Sequence, residues 1–475
     1  MVKSGDVRNR PWCWAGRSFN CLTLLIILSL ELFSGCGTSY VGAHAPGLFA
    51  ATESMQSERF AFASTRMIAG PLSGEILVTG GITSNNSAIA TAELYDPGNG
   101  KFTGTNDMTS PRAYHTATAL GDGTVLVVGG IDSAGNPLDS AELFNPAMET
   151  FSPVSLPNMT LWQHSAVPFC AEHTSDGYLY STFTEGEGGS ACPAGYDVDV
   201  LIAGGFTDKA GDVPSSQAAI YDARTQTFTP LSPMPTAVAG AAAVLVPTTT
   251  ADAAGNAEPD ILIIGGTGPG GMSMKTFQLY PLGGLASSPY GGAWLQAPSL
   301  GTTTAVSYPT ATVLENEPSK PTDLSPCDGV VVIAGGQPMP SGQTTDLFYL
   351  YQPGPEGHFG AIIASGAMQE ARVHDTATLL GLINNGIPDA GRVLITGGEQ
   401  NVGGGFSTLS TAETYMPAVL GGKCSLGSFL LTPDAMVTPR WYQSATAFRD
   451  GTGRVLIAGG KDAATVQATA EIFTP

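Results

Sequence analysis

Charge is scarce in this chain, and basic charge scarcest. Asp, Glu, Lys and Arg make up 12% of 475 residues, and 19 Lys and Arg stand against 40 Asp and Glu, for a formal net charge of −21. Nucleic acid is therefore not an expected partner, because phosphate binding needs clustered basic side chains. The acidic residues are scattered and serve solubility. Cysteine is sparse at seven residues, none in a Cys-x-x-Cys spacing, so no zinc site is expected. Long stretches of helical periodicity are missing. The 61 glycines and 34 prolines follow no Gly-X-Y period, which excludes a collagen-like triple helix. At 43% hydrophobic the chain can bury a large core and is too apolar to be a disordered one.

What is present is repetition. A short apolar run ending in Gly-Gly occurs seven times: ILVTGG (76–81), VLVVGG (125–130), VLIAGG (200–205), ILIIGG (261–266), VVIAGG (331–336), VLITGG (393–398) and VLIAGG (455–460). Such β-branched runs, bounded by glycine, read as buried strands. A second strand follows each, with an aromatic at Tyr95, Phe144, Tyr221, Tyr280, Phe348, Tyr415 and Phe473. A third centres on Phe102, Phe151, Phe228, Trp294, Phe359 and Phe429. Before the Gly-Gly strand comes one rich in small residues, such as HTATAL (115–120), PTATVL (309–314) and DTATLL (375–380). That makes four strands per repeat, a to d.

A diglycine followed by spaced aromatics resembles the kelch repeat, and the resemblance covers nearly everything after residue 47. It implies an all-β fold, a seven-bladed β-propeller with strand a at the axis. The residues agree: crowded inner strands suit Ala and Thr, and aromatics suit the wider space between blades. The chain ends on strand c of the seventh repeat, while LFAATESM (48–55) matches KFTGTNDM (101–108), a strand d. Residues 48–54 are expected to complete the last blade.

Arg59, Arg112, Arg372 and Arg440 begin strand a of the first, second, sixth and seventh repeats, and Glu93, Glu142, Glu413 and Glu471 sit in strand c of the same repeats. The other repeats carry Leu161 with Ala219, Val238 with Gln278, and Val306 with Asp346. Strands a and c lie about 9.5 Å apart across b, so an ion pair lying over the diglycine within each blade is expected, bidentate where geometry allows.

Tyr114-His115 opens strand a of the second repeat. The segment resembles a strand of galactose oxidase, a seven-bladed kelch enzyme, in which a Tyr-His pair ligates copper. Matching positions hold His164, Tyr308, His374 with Asp375, and Tyr442 with Gln443, all expected near the axis on one face. A Tyr and His cluster suits copper. That family also needs a cysteine crosslinked to a tyrosine, whereas the cysteines here fall in a–b and c–d loops on the opposite face. GGTGPGG (265–271) has no helix and no P-loop lysine after it and reads as a b–c loop.

Lys3, Arg8, Arg10 and Arg17 precede an apolar run from Cys21 to Leu30, too short for a transmembrane helix of about 20 residues. Ser34-Gly35-Cys36 follows and resembles the lipobox of bacterial lipoproteins, which implies lipidation at Cys36. Residues 1–35 read as a signal peptide, 36–47 as a flexible tether and 48–475 as the propeller. Cys170, Cys192, Cys327 and Cys424 remain after export. Bridges Cys170–Cys192 and Cys327–Cys424 are expected, with free thiols the alternative for the second pair. The expected protein is a monomeric, lipid-anchored propeller of the bacterial cell envelope that binds a protein or glycan, with no metal and no cofactor. The alternative is an oxidoreductase or sugar-active enzyme at the axial mouth, with copper as its cofactor.

Overall fold

The computed structural model describes residues 47–475, apart from 157–158, 175–176, 182–191, 194, 249–257, 284–292, 298, 300–303, 315–325, 356, 381–391 and 402. The expected signal segment, Cys36 and all but the last residue of the tether lie outside the described residues. Among the described residues no helix is long and apolar enough to cross a membrane.

Every Gly-Gly run ends strand b of an antiparallel sheet, and seven such sheets follow one another along the chain. Blade 1 comprises Ala63–Arg66, Ile76–Thr79, Ala92–Asp96 and Lys101–Gly104, paired in that order as a, b, c and d. Blade 2 comprises Thr116–Ala119, Val125–Val128, Ser140–Asn145 and Thr150–Ser155. Blade 3 (Ser165–Thr174, Asp197–Ala203, Ala218–Asp222, Thr227–Pro230) adds a fifth strand, Gly177–Ser181, beside the far end of a. Blade 4 is Ala242–Val246, Asp260–Ile264, Phe277–Pro281 and Leu295–Ala297, and blade 5 is Thr310–Val313, Val331–Ala334, Leu347–Gln352 and Ala361–Ala367. Blade 6 is Thr376–Leu379, Val393–Thr396, Ala412–Leu420 and Lys423–Leu431. Blade 7 is Ser444–Ala447, Val455–Ala458, Ala470–Thr474 and, from the other end of the chain, Leu48–Ala51.

Strand a of each blade neighbours strand a of the next, and the seventh meets the first, so the a strands form the inner ring of a closed seven-bladed propeller. The b strands are buried on both faces, which is why they are continuous Val, Ile and Leu rather than alternating. Aromatics of c and d meet across each blade, as in Tyr95–Phe102 at 4.8 Å and Phe144–Phe151 at 4.9 Å between ring centroids. The last blade closes by Leu48↔Thr474, Phe49↔Phe473, Ala50↔Ile472 and Ala51↔Glu471. The added strand is 48–51, shorter than the expected 48–54.

Blade 5 departs from the sequence alignment. Val331 pairs with Tyr351, as Ile76 pairs with Tyr95, so Tyr351 and not Phe348 is the repeat aromatic there. By the same register Tyr349, not Asp346, stands where the other blades carry glutamate. Phe348 instead packs on Tyr415 and Phe429 of blade 6, at 5.7 and 4.9 Å.

Both disulfides are formed, Cys170–Cys192 and Cys327–Cys424. They lie at the end of the propeller that carries the a–b and c–d loops, and the second joins blade 5 to blade 6. Two disulfides fit a protein that matures in an oxidising, extracytoplasmic setting.

Candidate functional site at the axial mouth

The other end of the propeller is built from the four residues that open each strand a. The first is the arginine position: 59, 112, 161, 238, 306, 372 and 440. Its carbonyl accepts a hydrogen bond from the second diglycine N–H of the preceding blade in all seven cases, from Gly81→Arg112 at 2.8 Å to Gly460→Arg59 at 2.9 Å. The diglycines make this approach possible. Their first residues have φ of +59 to +71° and their second +87 to +102°, and a Cβ on Gly80 would lie 2.2 Å from the Arg112 carbonyl.

Where arginine is present, it is fully buried and lies over the diglycine of its own blade. Arg59 Nη2 is 2.6 Å from Glu93 Oε1, and the Arg112–Glu142, Arg372–Glu413 and Arg440–Glu471 pairs are each at 2.7 Å. Nη1 donates to the first glycine's carbonyl, at 2.7–2.9 Å. The guanidinium engages one glutamate oxygen only, through Nη2 (joined by Nε at Arg112), and the contact is not bidentate. The glutamate's other oxygen is taken by the d-to-a loop, whose amides at Gln56, Thr109, Gln369 and Val437 donate at 2.6–2.7 Å. Blade 4 does the same work without charge: Gln278 accepts from the Thr236 amide at 2.9 Å and donates to its carbonyl at 3.1 Å. Replacing arginine by Val238 thus goes with replacing the carboxylate by an amide, which leaves no unpaired buried charge.

The second position bridges to the residue after the diglycine, as in Ala113↔Ile131 and Trp441↔Lys461. The third is left-handed in every blade: Ala61, Tyr114, Gln163, Gly240, Tyr308, His374 and Tyr442, with φ of +50 to +57°. Six backbone bonds of 2.8–3.2 Å link successive members of this ring. Six of the seven members are not glycine, and such a conformation costs of order 1 kcal/mol or more each. The ring offsets that cost by satisfying its own amides around the axis.

The side chains of this ring gather at the axis. Tyr114 meets Tyr442 edge-on at 5.4 Å, His374 stacks on Tyr442 at 4.2 Å, and Tyr308 lies 4.9 Å from His374. Gln163 joins two of the phenols, accepting from the Tyr308 hydroxyl at 3.2 Å and donating to Tyr442 at 3.3 Å. Burial pushes the Tyr114, Tyr308 and Tyr442 phenols up from their ordinary value. Around them sit Trp162 and Trp441, and Lys461 Nζ lies 4.3 Å from the Phe60 ring centre and 4.1 Å from that of Trp441. His374 Nδ1 is 3.7 Å from Glu399 Oε2. Glu399 and Lys461 each directly follow a diglycine, the sequence signal that would have found them.

The fourth position turns away from the mouth into the seam between blades. His115 and His164 occupy it, so they are not brought together with Tyr114, Tyr308, His374 and Tyr442. His115 Nε2 is 2.9 Å from Thr79 Oγ1 of blade 1, and His164 Nε2 is 2.9 Å from Thr116 Oγ1 of blade 2. Burial holds both imidazoles below their ordinary value, His164 at about 3. Gln443 bonds the Thr396 carbonyl at 2.7 Å from the same position. Asp375 occupies it in blade 6, and neither of its buried oxygens has a hydrogen-bond partner on another described residue. Burial pushes this carboxyl up to about 6.

These residues do not fit a mononuclear copper site. Tyr114 and His115 are adjacent in sequence but diverge, one to the mouth and one to a threonine in the seam. Both imidazoles of the fourth position are engaged by hydroxyls in separate seams. All four described cysteines are in disulfides, so none is free to crosslink a tyrosine.

The architecture defines a seven-bladed propeller of four-stranded blades closed by its own N-terminal strand. It is of the kelch type: residues 111–155, which span blade 2, match the Kelch motif family. No curated protein matches the sequence. Among solved structures, the chain is similar to a fungal alcohol oxidase of the AA5 family in complex with copper, at 14% identity and a TM-score of 0.57, over 90% of this chain and 76% of that one. It is also similar to the structure of YjhT, at 14% identity and a TM-score of 0.47, over 79% of this chain and 99% of that one. At that identity, the likeness to the oxidase speaks for the fold alone.

Proposed function

We propose that this protein is an exported, lipid-anchored kelch scaffold of the bacterial cell envelope that binds a glycan or protein ligand, without catalysis, around the axial mouth. The observation that carries this reading is how the mouth's polar groups are spent. At the mouth the Tyr308 and Tyr442 hydroxyls are held by Gln163, and His115 and His164, in the seams away from it, are held by threonines. What remains to meet a ligand is aromatic surface at Tyr114, Trp162, Trp441 and Tyr442 and the His374 imidazole, flanked by Glu399 and Lys461. The b–c loops beside it expose Val213, Met272 and Phe406. Aromatic faces with a few polar groups suit the apolar faces and hydroxyls of a sugar, or a protein loop.

The test is titration of the protein's tryptophan fluorescence with envelope glycan fragments and peptides. A saturable change that Trp162→Ala and Trp441→Ala both weaken is expected. Copper bound one-to-one, with peroxide formed from primary alcohols or sugars and lost in His115→Ala, would replace this reading by the oxidoreductase.

A further inference from the structure

Large apolar side chains exposed on this propeller are not spread evenly. Of the 13 that stand out among the described residues, six lie on blades 5 and 6: Ile363, Leu426, Leu430 and Leu431 on the outer strands, and Val419 and Leu420 at the end of strand c of blade 6. A seventh, Leu48, begins the outer strand of blade 7, the next around the rim. Exposed apolar side chains concentrated on one part of a surface mark a candidate interaction site.

The patch has a built shape. In blade 6, strand b pairs with strand c only over Ala412–Tyr415, yet strands c and d continue past it as a hairpin, with Val419↔Cys424 and Leu420↔Lys423 at its end. The turn is Gly421-Gly422, with φ of +60° and +74°, a two-residue turn that fits a twisted hairpin. No described atom lies within 4 Å of a Cβ built on either glycine, so the tip stands clear of the propeller. The Cys327–Cys424 disulfide fixes the hairpin to blade 5, and a Cβ on Gly366 of that blade would sit 3.2 Å from Leu426. Leu420, at the tip, is 77% exposed.

We infer that this hairpin rests on a lipid bilayer, with Val419, Leu420 and Leu426 in the interfacial zone. This rests on the reading that Cys36 carries a lipid. Leu48 pairs with Thr474, at the end of strand c, so the chain enters the propeller at the same end as the hairpin tip and in the neighbouring blade. Eleven residues, 37–47, separate Cys36 from Leu48. Even fully extended they span about 40 Å, which keeps this edge close to an anchored membrane. The charges agree. Between Tyr415 and Thr432 the only charged residue is Lys423, in a chain of net charge −21, and residues 359–368 of blade 5 carry none. An apolar hairpin whose one charged residue is a lysine suits the boundary between headgroups and acyl chains of an anionic membrane. The axial mouth, at the opposite end, is then turned away from the bilayer.

The experiment uses the processed full chain in vesicles of phosphatidylethanolamine and phosphatidylglycerol with brominated acyl chains. Mass analysis of the mature N-terminus first establishes whether Cys36 is lipidated. In lipidated protein, a tryptophan placed by Leu420→Trp is expected to be quenched several-fold more than one placed by Val437→Trp in the loop before strand a of blade 7, at the mouth end. Equal quenching overturns the proposal while leaving the anchor intact. If the mass shows no lipid, the anchor reading fails by itself. Docking is then judged by cosedimentation with the same vesicles, which Leu420→Asp should reduce at least five-fold, and absence of binding overturns it. A wild-type dimer that Leu420→Asp converts to monomer would assign the patch to a second copy instead, and would also overturn it.

Discussion

The amide of Gly460 donates to the carbonyl of Arg59 at 2.9 Å. The two residues come from opposite ends of the chain, yet the bond is the one that Gly81 makes to Arg112 and Gly398 to Arg440. The seam where the ring closes is therefore held at the mouth end like any other seam. One residue type performs several tasks at once. Its carbonyl ties it to the preceding blade, its guanidinium spans its own diglycine, and its glutamate partner pins the incoming loop. That concentration of bonds makes the arginine position the first place to test the energetics.

Arg112 and Glu142 are both wholly buried and share Nε and Nη2 contacts to one oxygen at 3.1 and 2.7 Å. Removing either leaves a buried charge without its counterion, at a cost of about 3–5 kcal/mol. Arg112→Ala and Glu142→Ala should each lower stability by that order, and the double variant should be far less damaging than their sum. Urea denaturation of the four proteins measures the coupling. Effects that add to within about 0.5 kcal/mol would show that the pair contributes nothing as a pair.

At the rim the seam depends on Leu48–Ala51. Phe49 packs on Phe473 at 5.1 Å between centroids and fills the space that Phe102 fills beside Tyr95 in blade 1. Phe49 is half-buried, so Phe49→Ala should cost about 2 kcal/mol, below the range for a fully buried ring. Deleting residues 48–51 should do more, because it leaves strand 470–474 as an unpaired edge. Hydrogen exchange at Ile472 and Thr474 should accelerate in the deletion, with much smaller changes in blades 3 and 4. Unchanged exchange there would mean that the closing strand does not hold the ring.

Repeats made most of this architecture legible. Seven diglycines, each after a buried strand, set the number of blades, and the match of LFAATESM to a strand d set the closure. Arg59, Arg112, Arg372 and Arg440 stood out because a buried charge must have a partner, and the glutamates recurred in the same repeats. The mouth was harder to read. Its third position holds Ala, Tyr, Gln, Gly, Tyr, His and Tyr, which share a left-handed backbone and no chemistry. Only Gly240 hints at that conformation. For the same reason His115 and His374 looked equivalent although they are one residue out of phase, one in a seam and one at the axis. In blade 5 the aromatic run Phe348-Tyr349-Leu350-Tyr351 offered two registers, and only the pairing with Val331 decides between them.

The disulfides close loops of unequal size, with sequence separations of 22 for Cys170–Cys192 and 97 for Cys327–Cys424. Loop entropy alone assigns them about 3 and about 5 kcal/mol. Reduction should therefore lower the unfolding midpoint, and Cys327→Ser with Cys424→Ser should lower it more than Cys170→Ser with Cys192→Ser. Differential scanning calorimetry of the two double variants gives the order. The reverse order would indicate that blades 5 and 6 stay docked in the unfolded ensemble, or that packing such as Phe348 on Phe429 suffices to hold them.

Asp375 supplies a pH dependence of definite sign. In its own seam it holds the position at which His115, His164 and Gln443 find partners in theirs, but neither of its oxygens has a hydrogen-bond partner on another described residue, and burial pushes its carboxyl up from an ordinary 3.8 to about 6. Arg372 pulls that value down and Glu413 pushes it up. Below pH 3.8 the acid is protonated in both folded and unfolded chains and affects stability equally in each. Between 3.8 and 6 the unfolded chain loses its proton first, so stability falls as pH rises. Above 6 the penalty is complete, and a shift of about two units corresponds to about 3 kcal/mol. Asp375→Asn removes the titration, and the variant should gain on wild type by up to that amount at pH 7.5. The gain should shrink steadily as the pH is lowered and vanish near 4. Parallel stability curves for the two proteins from pH 4 to 7.5 would mean that this carboxyl ionises in the folded chain as it does in the unfolded one, and that the seam admits water to it.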